Sequence, residues 1–230
     1  MYRKRKLRRA PQPGMPCRNL LSSAGSNRWI FYSVKLGRLV VAYSLLEYLH
    51  LLLVEWNVGI KTFCEQPRRI QMLWAGRLVT SVLDLHILWW SGKEEYRETK
   101  YRKDLESAIP DSRVDRQIAV QTAWCSFQRA AYSIVTEEIV MANPIYLEGL
   151  RQMQAQLTST RHLDLSSLQD RIHRLLRFEG PRRLREIEES FTNIDISHVR
   201  AATFGLIHAG RAAADIETKL LCGSTAVEAI

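Results

Sequence analysis

The first 46 positions contain no acidic residue at all; the first carboxylate is Glu47. Over the whole 230 residues, 33 Lys and Arg oppose 24 Asp and Glu, a formal net charge of +9. Six of those charges, Arg3, Lys4, Arg5, Lys6, Arg8 and Arg9, precede residue 10 and leave only +3 for everything after them. Cysteine is sparse as well. The four present, Cys17, Cys64, Cys125 and Cys222, include no CxxC pair, which argues against a zinc ribbon or a disulfide scaffold and fits a reducing compartment. Long apolar runs are missing too. The most apolar stretch, Leu39 to Val54, carries Glu47 and His50, so no membrane span of ~20 apolar residues is expected. Prolines follow the basic start where a secretory signal would have its apolar region. The expectation is a soluble, cytoplasmic protein.

What is present suits a folded chain. Hydrophobic residues make up 46% and charged ones 25%, which excludes wholesale disorder. The excess positive charge favours a polyanionic partner. Residues 1–27 read as a flexible basic arm able to bind phosphates, because Pro11, Pro13 and Gly14 interrupt any amphipathic presequence helix.

After the arm, Trp29 to Lys35 and Leu39 to Ala42 read as short strands. Ser44 stands as N-cap of an almost wholly apolar helix that Asn57 and Gly59 stop. Three strand-like segments follow, Lys61 to Trp74, Arg77 to Trp90 and Glu95 to Tyr101, and predict an antiparallel meander. Val114 to Ala131 predicts a helix, Tyr132 to Val135 with Ile139 to Met141 a last strand, and Leu147 to Leu157 another helix. Residues 28–158 then form a mixed α/β domain. Beyond a polar linker, residues 159–230 predict three helices (Leu165 to Phe178, Arg183 to Phe191, Ile196 to His208) and a small hairpin, the outline of a winged helix-turn-helix.

Four residues of the first domain stand out. Glu47 lies on the apolar helix and Asp84 interrupts an apolar strand. Glu98 and Lys100, two apart, leave the next strand on one face. Carboxylates in a sheet interior are costly unless paired or bound to a cation. Three of them converging would hold a hard ion such as Mg²⁺, and Lys100, deprotonated or charged, would activate or orient a water. The plain alternative is a solvated, charge-rich edge strand for Glu98 and Lys100 and an arginine-paired acid for Asp84. Gln66, Arg68 and Arg69 are candidate phosphate contacts, with Arg97, Arg102 and Lys103 as further members of a basic track. His86 is a candidate near-site residue. Cys64 and Cys125 read as small core residues.

Taken in order, Ser44-Leu-Leu-Glu47, Glu65-Gln66-Pro67, Asp84 and Glu98-Thr-Lys100 resemble the TnsA endonuclease of heteromeric cut-and-paste transposons, within the PD-(D/E)xK superfamily. Tyr132 to Ile139 resembles that family's final core strand, and the likeness spans about Leu36 to Arg211. Leu83 stands where many relatives have proline. The resemblance implies a restriction-endonuclease-like mixed sheet flanked by helices and followed by a small winged-helix domain. It makes Glu47, Asp84 and Glu98 ligands of Mg²⁺, for which Mn²⁺ substitutes, and Lys100 the water-activating residue. It further implies cleavage of the 5′ ends of a transposon in bacterial double-stranded DNA. The partners would be a DDE-type transposase (TnsB) cutting the 3′ ends and an AAA+ regulator (TnsC) bound by the C-terminal domain, where the modest basicity of Ser197 to Ala202 favours docking over sequence reading. The alternatives are a non-catalytic adaptor and a stand-alone repair or restriction nuclease.

Overall fold

A computed structural model describes residues 16–17 and 28–230. The arm residues Arg3, Lys4, Arg5, Lys6, Arg8 and Arg9 lie outside the described residues. In chain order the elements are β1 (Trp29–Ser33), β2 (Arg38–Ala42), α1 (Leu45–Trp56), β3 (Ile60–Glu65), β4 (Arg69–Trp74), β5 (Arg77–Val82), β6 (Leu85–Trp89), β7 (Glu94–Thr99), α2 (Arg102–Glu106) and α3 (Arg113–Phe127). There follow β8 (Ala131–Val135), α4 (Glu137–Val140), α5 (Pro144–Ser159), α6 (Ser166–Glu179), β9 (Arg182–Arg183), α7 (Leu184–Glu189), α8 (Ile196–His208), β10 (Ala212–Ala214) and β11 (Ala226–Ala229).

The centre is a four-stranded mixed sheet, order β3-β6-β7-β8, antiparallel except for the parallel pair β7–β8. The parallel pair arises because β8 follows β7 through α2 and α3, a helical crossover. Helix α1 covers one face, where Leu51 and Val54 meet Phe63, Leu85 and Ile87. On the other face α3 brings Val120 and Cys125 against Ile70, Leu83 and Tyr96. The protein is thus mixed α/β, with helices on both sides of a mixed sheet.

The expected three-strand meander does not form as one sheet. Gln66, at φ +44°, and Pro67 end β3, and Leu83-Asp84 ends β5. Proline has no N–H to continue a ladder, and a left-handed residue turns the chain. The segment between these breaks, β4 and β5, leaves the central sheet and pairs only with itself. Its two-residue turn, Ala75-Gly76, has φ +46° and +77°, the signature of a tight hairpin turn that keeps the ribbon's twist. A second difference concerns Ile139 to Met141, expected as strand. Glu137–Val140 is a short helix, since Thr136 opens a helical turn whose acids sit favourably at its N-terminus.

Toward the C-terminus, α6, α7 and α8 pack around Leu168, Ile172, Leu176, Ile187, Val199 and Leu206. A three-stranded antiparallel sheet, order β10-β11-β9, closes this part. Arg183, expected to open the second helix, pairs in β9 with Arg182 instead, and Arg185 lies on α7. The two parts share a core, in which Leu52 and Trp56 of α1, Leu150 and Met153 of α5, and Phe204 of α8 are all buried together. A polar knot reinforces it. Glu55, fully buried, accepts hydrogen bonds from Ser33 Oγ (2.5 Å) and the Lys35 N–H (3.0 Å), and His208 Nε2 of α8 lies 2.8 Å away. Burial alone would raise the Glu55 pKa, but these partners, His208 foremost, hold it below the ordinary glutamate value. Among the described residues no helix is long and apolar enough to cross a membrane.

Candidate active site

Glu47 owes its position to a helix start. Ser44 Oγ accepts the Glu47 N–H at 3.1 Å, the first half of a capping box. The Glu47 carboxylate turns back to accept the Tyr43 N–H at 3.0 Å and Ser44 Oγ–H at 3.3 Å. Asp84 occupies the break between β5 and β6, where its carboxylate accepts the Thr99 N–H at 2.9 Å. Glu98 and Lys100 leave β7 on the same face as Tyr96, the face covered by α3. The Lys100 ammonium lies 2.8 Å from Glu98 Oε1.

These four residues interact with one another, and Glu47, Asp84 and Lys100 line a single cleft of about 670 Å³. Burial pushes the Asp84 carboxyl well up, and repulsion from Glu98 and then Glu47 pushes it further. Glu47 is also raised, first by burial and then by Glu98, against the bonds from Tyr43 and Ser44. Burial alone would lower Lys100, yet Glu98, Asp84 and Glu47 together raise it above an ordinary lysine. Lys100 is therefore a charged counterweight to three acids, which decides between the two protonation states open to sequence reasoning.

Glu98 is the most constrained of the four, and fully buried. Besides Lys100, its Oε1 accepts from Gln117 Nε2 (2.6 Å) and its Oε2 from Gln121 Nε2 (2.8 Å). Gln121 also reaches Ser81 Oγ (3.0 Å) and the Val82 carbonyl (3.2 Å), and its own oxygen accepts the Tyr132 hydroxyl at 2.6 Å. Sequence reasoning passed over both glutamines. Their only signal is the four-residue spacing that puts them on one face of α3. Replacing Gln121 with leucine keeps its bulk but strands Glu98 Oε2 and the Tyr132 hydroxyl. We expect a loss of about 2–3 kcal/mol in urea unfolding, with any activity of the cleft falling alongside it.

Which residues could hold a cation follows from their free lone pairs. Among the described residues no group of three His, Cys, Asp or Glu side chains is arranged as a ready-made metal site. The donors are nonetheless hard oxygens that repel one another, the chemistry a divalent cation relieves. Glu47 and Asp84 keep lone pairs unused. Glu98, already accepting from three donors, has at most one left of the four a carboxylate offers.

The other expected contacts divide. Gln66 and Arg69 line the cleft, and the Gln66 N–H donates to the Asp84 carbonyl at 2.7 Å. Arg68 does not; its guanidinium covers the Trp124 ring at 5.5 Å. Arg97 is on the opposite face of the sheet, because adjacent strand residues alternate sides; it pairs with Glu95 at 2.9 Å. Arg102 is bound to Glu138, and Lys103 lies beside the Tyr101 ring. His86 lies 3.1 Å from Glu94 and against Tyr96, away from the acids. Sequence reasoning missed Arg77, Arg113 and Arg116, which line the cleft with Arg69. Cys64 and Cys125 are buried, as expected. No protein-family model and no curated protein matches this chain.

Proposed function

We propose that this chain is a metal-dependent DNA endonuclease, the strand-cleaving subunit of a cut-and-paste transposase complex. The observation that carries the reading is the meeting of Glu47, Asp84 and Lys100 at one arginine-walled cleft, with Glu98 buried against Lys100, from three separate places in the sequence. The mixed sheet with helices on both faces is compatible with a restriction-endonuclease-like core, and the order of the motifs resembles TnsA.

Glu47 and Asp84 would hold Mg²⁺ or Mn²⁺, with the remaining lone pair of Glu98 as a third donor. Once bound, the ion supplies Lewis-acid polarisation of the phosphate and a more acidic water. Lys100, kept protonated, orients the attacking water and faces the charge that develops on the phosphate oxygens. Gln117 and Gln121 fix Glu98, so that Lys100 is held in turn. Arg69 and Arg113 enter no ion pair among the described residues and are free to meet backbone phosphates.

For residues 159–230, three helices, a short strand before the second and a closing two-stranded element support a winged-helix reading. Helix α8 has Val199, Ala202 and Leu206 in the core, which favours docking onto an AAA+ regulator over insertion into a groove. The cut would fall at the 5′ ends of the transposon, in the bacterial cytoplasm, with a DDE-type transposase cutting the 3′ ends.

A second reading, a non-catalytic adaptor, draws on Glu98, whose two oxygens are already satisfied by protein donors. End-labelled DNA bearing transposon ends, incubated with the chain, a DDE-type transposase, an AAA+ regulator and Mg²⁺, separates the two. The nuclease reading expects 5′-strand nicks leaving 3′-hydroxyl and 5′-phosphate, absent with EDTA. Nicks that persist in EDTA, or that never appear, overturn it.

A further inference from the structure

The acid cluster does not explain the outer face of the β4–β5 hairpin. Its inner face, Ile70, Met72 and Val79, packs with Val120 and Trp124 of α3. The opposite face carries three cross-strand pairs from base to tip: Arg69 with Val82, Gln71 with Thr80, and Leu73 with Leu78. Leu73 and Leu78 are 71% and 67% exposed. Two leucines paired in solvent at the tip of a ribbon do nothing for the core, and they cost solubility. The ribbon has a tight turn at one end, and its other end is anchored on α3 and beside Asp84.

Charge indicates what the tip meets. Strand β5 forms a wall of the same cleft as the acids, with Arg69, Arg77, Arg113 and Arg116 around it. Among the described residues their ion-pair partner is Asp111, shared between Arg77 (3.6 Å) and Arg116 (3.2 Å). A ribbon ringed by arginines, with Arg77 beside its turn and an exposed leucine pair next to it, fits the polyanionic groove of a duplex better than a protein surface. The face has little with which to read bases, since Gln71 Nε2 is bound to Thr80 Oγ1 at 3.2 Å. Apolar side chains on a basic support are instead the tool of minor-groove proteins that part a base step and kink the helix.

We propose that the β4–β5 hairpin is a DNA wedge, in which Leu73 and Leu78 enter the minor groove and unstack a base step while Arg69 and Arg113 hold the flanking phosphates. This rests on the nuclease reading for its position. Six residues per strand span about 20 Å, so the distorted step lies within about six base pairs of the cut. Such distortion would select bendable steps and bring the scissile phosphate to the acids.

The test uses the full chain at 50 mM salt in EDTA, with duplexes carrying 2-aminopurine at successive positions. Anisotropy reports binding and 2-aminopurine fluorescence reports unstacking. We expect a several-fold fluorescence rise over one or two adjacent positions. With Leu73→Ser and Leu78→Ser combined, the rise should vanish while the Kd changes by less than about threefold and the melting temperature holds. Arg69→Ala with Arg113→Ala should weaken binding itself. Absence of duplex binding, binding without unstacking, or full unstacking by the leucine variant overturns the wedge. So does a leucine variant that still unstacks DNA but loses capture by a second copy or by the transposase, which would make the tip a protein-docking element. A wild-type chain that cleaves without unstacking removes the wedge alone, and a wild-type chain that unstacks but never cleaves removes the nuclease reading alone.

Discussion

Asp84→Asn should reduce DNA cleavage by about a thousandfold or more and should raise the melting temperature. The two effects have one cause. Asp84 is pushed toward protonation by burial and by the nearby Glu98 and Glu47. An amide keeps an oxygen for the Thr99 N–H, bonded at 2.9 Å in the native chain, and removes the repulsion. Relief of this kind typically stabilises by about 1 kcal/mol. Lys100→Met should behave oppositely in stability. Among the described residues the ammonium is the cation ion-paired with the acids, 2.8 Å from a fully buried Glu98. Removing one partner of a buried pair leaves an uncompensated charge and costs about 3 kcal/mol or more. Both variants would be inactive, yet one would be more stable than wild type and the other less. Combining them should recover part of the Lys100→Met loss, because the residues are coupled. Cleavage assays beside urea unfolding of all four proteins check this. An adaptor in which Asp84 is only structural would give a destabilised, fully functional Asp84→Asn.

Acid should weaken the fold through His50, and a single substitution should isolate the effect. Arg97 Nη1 lies 3.3 Å from His50 Nε2, and arginine can only donate, so Nε2 is an acceptor and the ring is neutral. The remaining proton sits on Nδ1, 3.3 Å from Thr99 Oγ1. Burial, then the Arg97 charge, hold the pKa down at about 3, with Glu95 opposing. The sign follows from linkage. Between pH 3 and about 6.5 the unfolded chain binds a proton that the folded chain refuses, so stability rises with pH across that window and falls on acidification. From pH 6.5 to pH 5 the loss is about 1.6 kcal/mol. Asp84 and Glu47, both raised, act in the other direction over part of this range, so the difference from His50→Gln is the readout. Glutamine can accept from Arg97 and donate to Thr99 without titrating. The variant should lose less stability between pH 6.5 and 5 than wild type, measured by denaturant midpoint at each pH. Equal slopes would remove His50 as the cause.

Local order determined much of this protein directly. Ser44 before an apolar run places α1 within one residue at its start, because a cap depends only on neighbours three positions apart. Alternation placed Glu98 and Lys100 on one face, and the helix at 196–208 was legible from its caps and apolar spacing. Glu47, Asp84, Glu98 and Lys100, which the fold brings together, could also be picked out, since a charge inside an apolar strand or helix stands out without any knowledge of contacts.

Packing decided the rest. Whether Lys100 is charged depends on three carboxylates brought in from α1, the β5–β6 break and β7, and no local pattern contains that sum. Gln117 and Gln121 look like ordinary helix surface until α3 crosses the sheet over Glu98. Arg97 belongs to a basic run in sequence, but the pleat sends it to the α1 face, away from the cleft. The hairpin separates from the meander because Gln66-Pro67 and Leu83-Asp84 break the ladders while α3 offers β4 and β5 a different apolar surface. Sequence alone fixes what each residue can do chemically and which neighbours along the chain share its face. Which charges then meet is set by distances between elements, and these exist only once the chain has folded.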